Sequence, residues 1–100
     1  MDTFLIVFRG ATVGETEGPQ HVPQAWDDWY AALGSALVDR GALSYGSIEM
    51  ANRLLGPKLS SSALSGYSIV SAADFDAAVE IVRGCPIFDE KGSVEIAHLR

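Results

Sequence analysis

The segment from Ser65 to Pro86 constrains the fold more than any other part of the chain. Gly66 to Ser71 has the composition of a short strand. Asp74 stands where a helix N-cap is favoured, and Gly84 and Pro86 stand where a helix ends. Between them, apolar residues follow at i, i+3, i+4 and i+7, the spacing of one helical face: Phe75, Ala78, Val79 and Val82. We therefore expect a strand followed by a capped amphipathic helix.

Three further segments read as strands. Thr3 to Arg9 is apolar on both faces, with Phe4, Ile6 and Phe8 opposite Leu5, Val7 and Arg9, which is typical of a central strand covered on both sides. Ser93 to Leu99 alternates as a last strand, with His98 on the same face as Val94 and Ile96. A shorter strand is predicted near Ser47 to Asn52, before a loop that contains Gly56 and Pro57.

The first helix is predicted to run from Pro23 to Gly41, after a loop from Gly10 to Val22. Pro23 suits the first helical position because its missing N–H needs no partner there. Apolar residues recur at helical spacing and form one stripe: Trp26, Trp29 or Tyr30, Leu33 and Leu37. Gly41 stands where a left-handed residue would end the helix.

The predicted order is strand, helix, strand, strand, helix, strand, within a single domain of residues 1–100. Two helices on one face of a four-stranded antiparallel sheet is the ferredoxin-like α+β arrangement. Helices cover one face only, yet the other face is largely apolar too, with Leu5, Val7, Ile69 or Val70, and Ala97 or Ile96. Since a large exposed apolar patch is unfavourable in water, we expect a second copy to cover it. The sequence thus predicts a homodimer with a cavity between two sheets.

Composition excludes several classes of function. The net charge of −6 disfavours nucleic acid as a partner. The apolar run from Phe4 to Phe8 is too short for a signal peptide or a membrane span, so we expect a cytoplasmic protein without a membrane partner. One cysteine and two histidines cannot form a closed structural zinc site, and no phosphate-binding loop or nucleophile elbow occurs. We predict neither a metal nor a cofactor.

Asp39 is the first candidate site residue. In the last turn of the predicted helix, its negative charge would oppose the helix dipole, so something local should compensate. One interpretation makes Asp39 a general base or ligand contact at the cavity mouth. The other, which we favour, has it accept hydrogen bonds from backbone N–H groups of the following loop.

The remaining candidates would bind a ligand or a proton. Arg9 and Glu95 could face each other in the cavity and clamp an anion or carbonyl, or form only a cross-strand ion pair. Trp26, Trp29 and Tyr67 could stack on a planar ligand, although aromatic stripes usually belong to the core. His98 could be a pocket base or an ordinary edge residue.

Several motifs, in their order and spacing, resemble the YCII-related family of small bacterial proteins: Ala25 to Trp29, Leu33 to Gly41, Ser65 to Val70, Ala78, Gly84 to Pro86 and Ser93 to Ile96. The resemblance implies the dimeric α/β-barrel fold. Some similar proteins are lyases or dehalogenating enzymes on ring compounds that use a His and an Asp. This chain lacks the Asp-Gly-Pro-Phe motif of one large branch, and it lacks that His in the first helix.

Two functions follow as expectations. The first is a homodimeric binding or accessory protein whose inter-sheet cavity takes a small molecule. The alternative is a lyase-like or isomerase-like enzyme on a compact ring compound, with Asp39 or His98 as base and Arg9 as the polarising group. The sequence itself contains no motif that decides whether the protein is an enzyme.

Overall fold

The computed structural model describes residues 1–10, 22–44, 47–60 and 64–100. The helices and strands in these ranges are β1 (Asp2–Arg9), α1 (Pro23–Leu33), β2 (Leu37–Leu43), β3 (Ile48–Glu49), β4 (Lys58–Leu59), β5 (Leu64–Ala72), α2 (Phe75–Val82) and β6 (Ser93–His98). Almost all of the loop predicted between Gly10 and Val22 lies outside the described residues. Neither described helix has the length and apolar composition needed to cross a bilayer.

Four strands form one antiparallel sheet in the order β2, β5, β1, β6. The α+β class with four antiparallel strands and two helices is therefore confirmed, and the arrangement is compatible with a ferredoxin-like fold. The molecule is only 18 Å thick in its shortest direction. That thickness corresponds to one sheet and one layer of helices about 10 Å apart.

The core lies between the sheet and the two helices. It combines alternate β1 side chains with buried residues of both helices and of β5: Phe4, Ile6, Phe8, Trp26, Trp29, Tyr30, Val70, Ala78 and Val82. This confirms the predicted inward face of β1, because every second residue from Phe4 to Phe8 is buried. It also confirms that the aromatic stripe of α1 belongs to the core.

Helix α1 is shorter than predicted. It ends at Leu33, and Gly34 follows in the left-handed region with φ of +56°. The Gly34 N–H is donated to the carbonyl of Ala31, which closes the last turn. Gly34 is therefore the helix-ending glycine that the sequence analysis placed at Gly41.

The second strand of the sheet is Leu37–Leu43, and the prediction that Ser47 to Asn52 forms it is wrong. Consequently Asp39 lies on a strand and not in the last turn of a helix. Gly41 has φ of +71°, and a Cβ there would lie 1.9 Å from the carbonyl oxygen of Tyr67. Strand β2 thus passes Tyr67 so closely, with register shifts between Leu37 and Ala42, that only glycine fits.

Helix α2 matches its prediction closely. It begins at Phe75, and Asp74 Oδ1 accepts a hydrogen bond from the N–H of Ala77 at 2.8 Å. The helix ends at Val82, just before Gly84. Strand β6 covers Ser93–His98 of the predicted Ser93 to Leu99, with Val94 and Ile96 packed towards the core.

Between β2 and β5 the chain leaves the main sheet and forms a two-stranded ribbon from β3 and β4. We call residues 47–60 the arm. The strand expected around Ile48 exists, but it is two residues long and pairs with Lys58–Leu59 instead of joining the main sheet. The predicted loop after Gly56 therefore contains a second short strand.

Candidate functional site

The sheet surface opposite the helices, here called the open face, is built from two rows of cross-strand neighbours. One row runs Asp39, Ile69, Leu5, Ala97, and the next runs Ala42, Tyr67, Val7, Glu95. Directly opposed residues share a face of a sheet. The centre of the open face is therefore apolar, and its charged side chains are Asp39 and Glu95 on the two edge strands and Arg9 at the end of β1.

A groove of about 390 Å³ lies on the open face at the end of the sheet where the arm begins. Its lining combines Leu5 and Val7 of β1 with Leu64, Gly66 and Tyr67 of β5 and with residues 42–44. The hydroxyl of Ser44 in this lining donates to the carbonyl of Leu64 at 2.6 Å. Since that hydroxyl already has a partner, Tyr67 supplies the remaining side-chain polar atom, and the groove favours an apolar ligand.

The predicted pair of Arg9 and Glu95 is present on the open face. Arg9 Nη2 lies 3.5 Å from Glu95 Oε1. Both side chains are solvated, so the pair itself contributes at most about 1 kcal/mol to stability. Arg9 stands two residues from Val7, and its guanidinium therefore borders the apolar centre of the open face.

The three aromatic candidates do not lie together. Tyr67 is on the open face and is 40% exposed, with its ring in the groove lining. Trp26 and Trp29 are buried on the opposite side of the sheet, where both rings contact Phe8 edge-on. Trp29 Nε1 donates to the carbonyl of Ile81 at 3.3 Å, which ties α1 to α2. Of the three rings, only that of Tyr67 borders the groove.

Asp39 and His98 lie on the two edge strands, three strand spacings or roughly 14 Å apart. Asp39 Oδ1 accepts the N–H of Gly41 at 2.8 Å, the backbone contact that one of the two interpretations predicts. His98 is on the helix side, where its ring stacks on Phe4 with 4.8 Å between centroids. Its Nε2 lies 3.1 Å from Asp2 Oδ2. The structure therefore does not bring the two candidate bases together.

A buried polar network joins α1 to β2, and the sequence analysis did not identify it. Ser68 Oγ donates to the carbonyl of Arg40 at 2.7 Å and lies 3.0 Å from the hydroxyl of Tyr30. Burial raises the pKa of the Tyr30 hydroxyl, which keeps it protonated. The Arg40 guanidinium lies over the Tyr30 ring, 4.5 Å from its centroid, and pairs with Asp27. These contacts hold α1 against the edge strand β2. They lie on the helix side of the sheet and not on the open face.

The residues that sequence analysis missed at the groove are Leu64 and the end of β2. They were missed because the sequence analysis assigned most of β2 to the first helix. The position of β2 beside β5 could therefore not be inferred. Within the described ranges, no three His, Cys, Asp or Glu side chains form a group that could hold a metal ion.

Comparison of the chain with protein-family models, with curated proteins and with solved structures gives no significant match. The resemblance to the YCII-related family therefore stays a prediction from the motifs.

Proposed function

We propose that the chain acts as a homodimeric binding protein, in which two open faces pack against each other and enclose a site for a small apolar molecule. One observation carries this proposal. The centre of the open face is a continuous apolar surface that includes the groove, and helices cover only the other side of the sheet.

The dimer follows from the physical chemistry of that surface. Leu5, Val7, Ile69 and Tyr67 are neighbours on the two central strands, and all four are partly solvated in the single chain. An apolar patch of this kind on a soluble domain commonly marks an interface. Packed sheets lie about 10 Å apart, so two such faces can interdigitate and exclude water. A second copy presents the same surface and is the simplest complement.

The groove defines the class of ligand. Its volume of about 390 Å³ falls within the range of small-molecule sites, roughly 300–1,000 Å³. Apolar side chains dominate its lining, and the ring of Tyr67 offers a flat surface for stacking. We therefore propose a compact, flat and mainly apolar ligand. The guanidinium of Arg9 at the border of the open face would favour a carbonyl or carboxylate at one end of that ligand.

The lyase-like or isomerase-like alternative has less support. It needs a base within hydrogen-bonding reach of a bound substrate. His98 faces the helices, and Asp39 hydrogen-bonds to the backbone of its own strand. Neither residue lines the groove. Binding without turnover is therefore the function that the geometry favours.

The test combines oligomeric state with ligand binding. Val7→Glu places a charge at the centre of the open face and should convert a dimer to a monomer in sedimentation equilibrium. The matched control is Phe88→Glu, which introduces the same charge at an exposed aromatic residue outside the sheet and should leave the dimer intact. As a probe for the groove we choose anilinonaphthalene sulfonate, a flat apolar fluorophore with one anionic group.

The dye should bind the wild-type dimer, and Tyr67→Ser should weaken its binding when both proteins are concentrated enough to be fully dimeric, since Tyr67 also belongs to the proposed interface. A wild-type chain that remains monomeric at millimolar concentration would overturn the dimer. Equal dye affinity in wild type, Tyr67→Ser and Val7→Glu would overturn the proposed site.

A further inference from the structure

The arm is an amphipathic ribbon. Ile48 pairs with Leu59, and both side chains are largely exposed. Glu49 pairs with Lys58, with 3.5 Å between Lys58 Nζ and Glu49 Oε1. Because successive side chains on a strand point to opposite faces, the ribbon has one apolar face and one charged face. Such a division indicates that the apolar face packs against another surface.

The tip of the arm presents two leucines to solvent from a defined turn. Asn52 Oδ1 accepts hydrogen bonds from the N–H groups of Leu54 at 3.0 Å and of Leu55 at 2.9 Å. The side chains of these leucines are 96% and 81% exposed. A turn held by Asn52 in this way fixes the two leucines in place.

The apolar surface of the arm is as large as the patches that often mark binding sites. Five large apolar residues are more than half exposed there: Ile48, Met50, Leu54, Leu55 and Leu59. Each exposes on the order of 100 Å² of apolar surface, which makes roughly 500 Å² in total. The largest patch of a typical monomer is of this size and often functional. A stable interface buries about 800 Å² on each partner. At roughly 500 Å² the arm alone falls short of that area, so a stable dimer also needs the apolar centre of the open face.

We propose that the arm packs on the open face of a second copy of this chain and closes the partner's groove from solvent. This inference rests on the proposed homodimer and adds the element that completes its site. The groove lies at the root of the arm, bounded by Ser44 and Leu64. Two copies that bring these ends together place each arm beside the other copy's groove, and a two-fold axis makes the contact reciprocal.

Charge is consistent with this occupant. The arm contains Glu49, Arg53 and Lys58 and is net positive, whereas the whole chain carries a charge of −6. The open face of the partner has carboxylates on both edge strands, those of Asp39 and Glu95, and one cation, Arg9, which pairs with Glu95, so its net charge is negative by one. Placing a basic arm over this face reduces the repulsion between two acidic chains.

The first experiment removes the apolar tip. Leu54→Ser combined with Leu55→Ser should raise the dimer dissociation constant about tenfold or more in sedimentation equilibrium, since buried apolar anchors dominate interface energies. It should also weaken binding of anilinonaphthalene sulfonate, because the groove loses its outer wall. Phe88→Ser is the matched control and should change neither value.

The second experiment tests the contact directly. A Leu55→Cys chain and a Tyr67→Cys chain that carry tags of different size are mixed and treated with a short bis-maleimide. The native Cys85 is buried and does not compete. A cross-linked species of mixed size should form, and it should be absent when Phe88→Cys replaces Leu55→Cys.

The outcomes separate this inference from the proposed dimer. If Val7→Glu abolishes the dimer while the tip variant dissociates like wild type and no mixed species forms, the dimer stands and the role of the arm is overturned. If the tip variant abolishes the dimer while Val7→Glu leaves it intact, the face-to-face dimer is overturned, and with it the docking of the arm on that face. Binding of wild type, but not of the tip variant, to phosphatidylcholine vesicles would assign the arm to a lipid surface and also overturn the inference.

Discussion

The indole Nε1 of Trp26 donates a hydrogen bond to Glu90 Oε2 at 2.6 Å, in the interior of the protein. Glu90 is 4% exposed and lies in the connection between α2 and β6, whereas Trp26 belongs to the first turn of α1. A buried carboxylate is tolerated only when donors satisfy it. This contact therefore fixes the start of α1 against the opposite end of the chain.

Replacing Glu90 with alanine should lower the free energy of unfolding by about 2–3 kcal/mol, because the Trp26 N–H loses its acceptor in a site from which water is excluded. Glu90→Gln keeps an amide oxygen at the same place and should cost about 1 kcal/mol or less. Urea denaturation of both variants checks the difference. Equal midpoints for the two variants would show that the hydrogen bond does not stabilise the fold.

Stability should fall at alkaline pH because of the buried thiol of Cys85. Burial raises the pKa of Cys85 to about 12, from an ordinary value of 9.0, and nearby Glu90 and Asp89 add to the shift. Below pH 9 the native and unfolded chains both keep the thiol proton, and this contribution is constant. Between pH 9 and about 12 the unfolded chain loses the proton while the native chain keeps it, so the free energy of unfolding decreases.

The alkaline loss can be assigned with Cys85→Ala. This variant should show a shallower decline of the melting temperature from pH 9 to 11, whatever its stability at pH 7. Part of the decline should remain, since burial also raises the pKa of Tyr30. In the native wild type at pH 8, the thiol should react with iodoacetamide far more slowly than in urea. Rapid labelling of the folded protein would contradict the buried position of Cys85.

The bulge of β2 should depend strictly on Gly41. Gly41→Ala places a Cβ against the backbone of Tyr67 at a positive φ, and we expect a loss of several kcal/mol or failure to fold. Gly34→Ala is the matched control, because Gly34 also has a positive φ but nothing lies within 4 Å of the added Cβ. It should cost about 1–3 kcal/mol, the cost of the unfavourable backbone conformation alone. Thermal melts that rank the two variants in the reverse order would refute the close approach at Gly41.

The N-cap of α2 at Asp74 should contribute to the free energy of unfolding by the amount typical of helix N-caps. Asp74→Ala removes the acceptor for the Ala77 N–H and should cost about 1 kcal/mol in urea denaturation. Asp76→Ala, in the first turn of the same helix, removes an equal charge without a cap and should cost less. An equal effect of the two variants would mean that charge, not the hydrogen bond, is what Asp74 contributes.

Elements whose ends carry a local signal were predictable from sequence. The cap at Asp74 and the stop at Gly84 defined α2, and strict alternation from Phe4 to Phe8 defined the buried face of β1. These signals involve neighbours in the chain and need no knowledge of tertiary contacts. The α+β class followed from them, although the second strand of the predicted order was placed in the wrong segment.

Strand β2 was missed because its residues fit two patterns. Leu33 and Leu37 are four residues apart and continue a helical stripe, yet Leu37 also begins a strand. The helix ends at Gly34, which has a positive φ. The sequence has glycines at both 34 and 41 and does not show which of them ends the helix. Asp39 was singled out by the wrong argument, although its backbone hydrogen bond was anticipated.

The candidate site was predictable in part. The pairing of Arg9 with Glu95 followed from alternation along β1 and β6. The groove wall beyond Tyr67 was not predictable, because it needs β2 as the neighbour of β5. The exposure of the leucines in the arm was not predictable either, because the sequence alone does not show whether an apolar residue lies in the core or on the surface.

The irregular course of β2 also determines how copies of this chain can meet. Regular edge strands recruit further strands and extend a sheet without limit, which is how fibres grow. The pairing of β2 with β5 is interrupted by two register shifts, which displace the outward N–H and C=O groups of β2 from their regular spacing. A straight strand added at this edge could therefore form few hydrogen bonds in register. Sideways polymerisation at that margin is thereby disfavoured, and the border of the broad apolar face is protected from added strands.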